Sequence, residues 1–164
     1  AEINLMEGMD YSAIAVGGAN DWSLELLALA DDNTAPAAGN FKLRLGHLAP
    51  FADTITGTLA DVRLQDGTVI LDDVPFGAVA AYLELPAGTY DLKITTPDGD
   101  TTLIDPLPVT FSEGDIVSAF AVGDGVNQPL GVFAWPSDAV GFLLPLKTYG
   151  TVYLPLIPQG YTVP

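Results

Sequence analysis

Residues 7–17 read EGMDYSAIAVG, and residues 113–123 read EGDIVSAFAVG. Glu7 falls on Glu113, an offset of 106 residues, and the same offset carries Leu24 onto Leu130, Ala28 onto Ala134 and Asp32 onto Asp138. Ile3 and Leu5 fall on Val109 and Phe111, which are chemically equivalent. A repeat of this kind decides the fold, because each copy is one supersecondary unit. The second copy has a front half over residues 41–108; the first has nothing before Ala1. The chain therefore reads as one and a half modules. Residues 1–30 are the back half of a first β module, 31–40 (DDNTAPAAGN) a linker, 41–138 a complete module and 139–164 a tail.

Outward from the repeat, the pattern is strand, turn, strand. Residues 12–16 (SAIAV) and 24–29 (LELLAL) bracket a turn at 17–21. Phe41-Lys-Leu-Arg-Leu45 alternates apolar and basic side chains, the mark of a half-buried strand. Residues 61–64 and 68–71 flank Gln65-Asp66-Gly67, a hairpin signal. Residues 78–85 and 89–95 flank Pro86-Ala87-Gly88, and Pro97-Asp98-Gly99-Asp100 makes a further turn. Residues 101–104, 109–111, 117–122 and 130–135 complete the set. Short strands spaced by turns in this way predict an all-β sandwich. The best helix candidate is 22–30, but its repeat partner, 128–136, contains Pro129, Gly131 and Phe133 and suits a strand.

With 21 acidic residues against five Lys and Arg, the formal net charge is −16. That balance excludes a basic nucleic-acid footprint and attraction to an anionic membrane. The absence of cysteine excludes disulfides, thiolate metal sites and a Cys nucleophile. No run of about 18 apolar residues is present, so no transmembrane helix is expected. Ala1 opens directly into a strand-like run with no signal peptide, as at a processed N-terminus.

All the acids lie at or before Asp138, and Lys147 is the sole charge from 139 to 164. This tail contains GFLLPL (141–146) and TVYLPLI (151–157), with prolines at 145, 155, 158 and 164. Proline lacks a ladder donor, so such strands belong at sheet edges or are interrupted. An apolar tail on an acidic chain calls for burial against something.

The run Arg44-Leu-Gly-His-Leu-Ala-Pro50 begins a resemblance. Asp61-Val-Arg-Leu64, Gly67, Val74-Pro-Phe-Gly-Ala-Val79 and Tyr82-Leu-Glu-Leu-Pro-Ala-Gly-Thr-Tyr90 follow, then Glu113-Gly114 and Ala121-Val-Gly123. In this order they resemble the DUF4397 domain, an immunoglobulin-like β module of bacterial and archaeal secreted or surface proteins, often found in tandem. The resemblance spans residues 41–135, and residues 1–30 match the back half of a preceding copy. The family's usual His-Ala-Ser-Pro reads His47-Leu-Ala-Pro50 here, so no role for that loop is carried over. The resemblance implies an immunoglobulin-like β-sandwich and an extracellular or cell-surface setting in a prokaryote. It implies no established activity.

The chemistry-bearing residues point the same way. His47 is the single histidine, and Ser12, Ser23, Ser112, Ser118 and Ser137 sit in no nucleophile elbow. The residues predict no enzyme and no zinc site. The acidic turns Asp31-Asp32-Asn33, Asp72-Asp73, Asp98-Gly-Asp100 and Asp124-Gly125 offer oxygens of the kind calcium takes, with Asp31, Asp32, Asp98 and Asp100 the candidates. None matches an EF-hand, and Asp-Gly is ordinary turn chemistry, so no cofactor is expected beyond a weak calcium option. Trp22 and Trp135 read as core or inter-sheet residues in preference to a sugar-stacking platform.

Half a module and an apolar tail suggest one another. A sandwich lacking strands exposes backbone and an apolar groove, and donor-strand complementation fills such a gap. The leading expectation is a fibre or surface-layer subunit assembled head to tail with identical subunits, with Phe142, Leu144, Leu146, Val152, Leu154 and Leu156 as assembly residues. Two readings compete with it: a monomeric adhesion module for a glycan or surface protein, and a fragment of a longer tandem array.

Overall fold

A computed structural model describes residues 5–147. The chain is all-β, with no α-helix among the described residues and a single 3-10 turn, Thr56–Thr58. The strands are β1 (Asp10–Val16), β2 (Glu25–Asp31), β3 (Asn40–His47), β4 (Ala60–Leu64), β5 (Val69–Val74), β6 (Leu83–Pro86) and β7 (Gly88–Tyr90). They continue with β8 (Leu92–Thr95), β9 (Thr102–Ile104), β10 (Val109–Phe111), β11 (Ile116–Val122), β12 (Gly131–Pro136) and β13 (Phe142–Leu143). Of residues 22–30, those from Glu25 onward lie in β2 and none is helical, as their repeat partner predicts.

A β-sandwich occupies residues 40–143. One sheet runs β13-β12-β11-β3-β6, the other β5-β4-β8-β9, and β7 pairs with β10 as a two-stranded ribbon. β11 is antiparallel to β12 on one side and parallel to β3 on the other, with Ile116 opposite Lys42 and Ala121 opposite His47. The alternation of Phe41-Lys-Leu-Arg-Leu45 now has a cause. Phe41 and Leu43 face the core with Val117 and Ala134, and Phe41 stacks on Phe111 at 4.3 Å between centroids. Lys42 and Arg44 point to the opposite face, yet both are buried, because a further layer covers them.

Two strand expectations need correction. Residues 78–85 form a strand only from Leu83; before it, Val79 makes an isolated bridge to Gly46. Residues 89–95 are not one strand but two, because the chain changes partner at Asp91: β7 pairs with β10, whereas β8 pairs with β4 and β9. The Asp91 carboxylate accepts from Gln65 and Lys147, which holds the crossing point.

The hairpin β1–β2 forms its own two-stranded sheet. It repeats β11–β12 in register: Ala13 opposite Ala28 matches Ala119 opposite Ala134, and Ala15 opposite Leu26 matches Ala121 opposite Val132. The turns repeat too. Gly17 and Gly123 have φ of 87° and 93°, and a Cβ at either would lie 2.1 Å from a carbonyl oxygen, of Ser23 and Pro129 respectively. Only glycine fits both demands.

Candidate functional site

The N-terminal hairpin is docked on the sandwich by two of the chain's five basic residues, Lys42 and Arg44. Arg44, reaching out of β3, pairs with Asp31 (Nη2 to Oδ1, 2.6 Å) and donates to the Ala30 carbonyl at 3.1 Å and to Ser118 Oγ at 2.9 Å. Lys42 Nζ pairs with Asp32 at 2.7 Å and donates to the Thr34 carbonyl and hydroxyl. At the other end of the hairpin, Asn20 donates to the Pro50 carbonyl at 2.6 Å and Trp22 Nε1 to the Ala52 carbonyl at 2.8 Å. Trp22 also packs on Phe76, 4.8 Å between centroids. The chemistry of DDNTA is thus that of a staple: Lys42 and Thr34 hold the Asp32 carboxyl down at a pKa of about 2.

One face of the hairpin remains uncovered. Tyr11, Ala13, Ala15, Leu26 and Ala28 stand where Val117, Ala119, Ala121, Val132 and Ala134 stand in the sandwich. There the face looks onto the second sheet and is largely buried; here Leu26 is 49% exposed and the neighbouring Leu24 71%. The edge also differs. β11 carries β3 along its outer side, whereas β1 has no third strand beside it among the described residues. An apolar face bordered by unpaired backbone groups is the geometry that accepts a strand.

The tail begins on the sandwich itself. Phe142 and Leu143 pair with Ala134 and Phe133 at the free edge of β12. Leu144 packs against both clusters of the core, its N–H donating to Val132. Leu146 bridges Pro106, and Lys147 pairs with Asp91 and Asp105. β13 ends at Leu143, two residues before Pro145, and is an edge strand, as the prolines predict. Of the six assembly residues, Phe142, Leu144 and Leu146 therefore lie along the complete module and not on the N-terminal hairpin. Val152, Leu154 and Leu156 lie outside the described residues.

The calcium candidates are dispersed. Asp31 and Asp32 are engaged by Arg44 and Lys42, cations that take the place a metal would need. Asp98 closes its own turn, accepting from Thr96 Oγ1 and the Asp100 N–H, and these bonds lower its pKa. Asp124 does the same more fully, accepting three backbone N–H groups and the Asn127 amide, and its pKa is strongly lowered. A different acidic group comes together in space: one oxygen from each of Asp61, Asp72 and Asp73 lies within 4.8 Å of the others. Asp72-Asp73, expected as an acidic turn, lies instead within β5; Asp61, an isolated acid on β4, carried no signal. Asp61 is fully buried and paired with Arg63 at 2.6 Å.

His47 is structural. Its Nε2–H donates to the Thr58 carbonyl at 2.7 Å, and its Nδ1 accepts the Ala49 N–H at 3.3 Å. Both nitrogens are used, and burial lowers its pKa. Trp135 is partly exposed and lies edge-on to Phe133.

Between the two sheets lies an apolar cavity of about 340 Å³, walled by Leu43, Leu45, Val62, Leu92, Ala119 and Val132 among others. Asp72 and Asp73, both exposed, stand on its boundary. No sequence signal pointed to it, because it arises from the spacing of the sheets.

A family model described as "Domain of unknown function (DUF4397)" matches residues 1–58 and 56–139. The chain belongs to the DUF4397 family. The two matches are consistent with one full copy of the DUF4397 domain and a partial one. They meet at the Thr56–Thr58 turn, just after the His47-Leu-Ala-Pro50 segment. No curated protein matches the chain. Among the described residues of this DUF4397 protein, no helix is long and apolar enough to cross a membrane.

Proposed function

We propose that the chain is a non-enzymatic structural protein of the prokaryotic cell exterior whose copies join head to tail by β-strand complementation. The observation that carries this reading is the contrast between two in-register hairpins. β11–β12 has β3 at its edge and a second sheet over its face; β1–β2 has neither among the described residues. The proposed donor is residues 148–164 of a neighbouring copy, which carry no charge and present Val152, Leu154 and Leu156 in alternation. Phe142, Leu144 and Leu146 then anchor the donor to its own module. Acceptor and donor are different surfaces of one chain, so the contact is heterologous and extends into a filament when it does not close.

Size-exclusion chromatography and negative-stain microscopy test this. The full chain is expected to form filaments. A chain ending at Lys147, and the Leu26→Glu variant, are expected to stay folded and monomeric. Filaments from the chain ending at Lys147 would sink strand donation by the tail, and a full chain that is monomeric at every concentration would sink the assembly reading.

A second reading, a monomeric adhesion module, is favoured by the crevice between the hairpin and the five-stranded sheet, where Tyr11, Tyr82 and Trp135 meet Asn33 and Arg44. It predicts retention on a polysaccharide matrix that is lost in Trp135→Ala.

A further inference from the structure

We infer that the cavity between the two sheets binds one aliphatic amphiphile with a cationic head group. At about 340 Å³ the cavity falls in the range of small-molecule sites, roughly 300–1,000 Å³. Its walls include the side chains of Leu43, Leu45, Val62, Leu92, Ala119 and Val132, which offer only dispersion contacts, and Tyr90, whose hydroxyl donates to the Pro86 carbonyl. His47 also borders it, but both ring nitrogens are committed to Thr58 and Ala49, so it presents no free polar atom. A ligand body must therefore be apolar, since a polar group taken inside would lose its hydration without a partner.

The boundary sets the head group. Asp61, Asp72 and Asp73 bring three carboxylates together, and Arg63 pairs with Asp61. The ion pairs among the described residues give Asp72 and Asp73 no cation. Those two carboxylates leave a net negative charge beside an apolar chamber, which attracts an ammonium head and repels a carboxylate or sulfate. The site is distinct from the hairpin face and does not depend on strand exchange.

Isothermal titration of the full chain with dodecyltrimethylammonium, below its micelle concentration and at near-physiological salt, tests the inference. Saturation at one molecule per chain is expected, with no binding of dodecyl sulfate. Asp72→Asn with Asp73→Asn is expected to weaken binding about fivefold, as for exposed ion pairs. Ala119→Leu and, independently, Val62→Phe fill the chamber and are expected to abolish binding while circular dichroism shows the β fold retained. The inference is overturned if no saturable binding occurs, if dodecyl sulfate binds equally well, or if both folded filling variants still bind. Binding confined to the chain ending at Lys147 would also overturn it, by making residues 148–164 of the protein the occupant.

Discussion

Leu26 and Val132 hold the same position in two copies of one hairpin, opposite Ala15 and Ala121, yet Leu26 is 49% exposed and Val132 only 7%. The backbone is the same and the neighbours are not. Val132 looks onto a second sheet, and Leu26 has none over it among the described residues. This contrast makes a sharp mutational prediction. Val132→Glu buries a charge without a partner and is expected to unfold the sandwich. In the chain ending at Lys147, which lacks the proposed donor strand, Leu26→Glu is expected to change the urea midpoint little and to improve solubility. Equal destabilisation by the two would mean that the hairpin face is covered.

The shared turn gives a second prediction. Gly17→Ala and Gly123→Ala each force a side chain into positive φ and against a carbonyl oxygen. Gly123 links β11 and β12 in the main sheet, so its substitution is expected to cost at least about 2 kcal/mol in global stability. Gly17→Ala is expected to loosen the hairpin alone, visible as faster amide exchange over residues 10–31 with the sandwich unchanged.

Arg44 is the strongest tie between hairpin and sandwich. Arg44→Met leaves Asp31 without its cation and the Ala30 carbonyl without the guanidinium donor, and loss of one partner of a buried pair costs about 3–5 kcal/mol. The expected sign is a lowered urea midpoint together with rapid proteolysis in residues 32–39. Arg44→Lys is expected to rescue little, because the acceptors are reached by three separate nitrogens of the planar guanidinium, a spread that a single ammonium does not reproduce.

Stability is expected to fall on acidification in two ranges. Burial keeps the His47 pKa below its ordinary 6.5, so below that pH the unfolded chain binds the extra proton and stability declines as pH falls. Asp32, lowered from 3.8 to about 2, contributes stability that is full above 3.8 and is lost as pH falls toward 2. Urea midpoints between pH 8 and pH 5.5 check the first range. In His47→Gln, which keeps a donor for Thr58, the decline over that range is expected to vanish.

The strand order along the chain was legible because its signals are local. Asp-Gly and Pro-Ala-Gly turns, β-branched runs and the repeat each act within a few residues, and the repeat overruled the helical propensity of LELLALA. The change of partner at Asp91 was not legible, since nothing between Thr89 and Thr95 marks which sheet each residue joins. The docking of the hairpin was hidden for a related reason. Asp31 and Asp32 looked like calcium-type oxygens, and Lys42 and Arg44 like a solvated strand face. Their pairing depends on the hairpin lying across β3.

By itself the sequence determined the all-β class, the duplication of the hairpin and the acid-free character of the tail, because periodicity and composition are properties of neighbours along the chain. Only the tertiary structure decided that the basic residues of β3 clamp the N-terminal hairpin, that the tail starts along its own sandwich, and that a cavity bordered by carboxylates remains between the sheets. Those are contacts across 10 to more than 70 positions. They are set by how layers stack and by which charges that stacking brings together, and no local pattern encodes them.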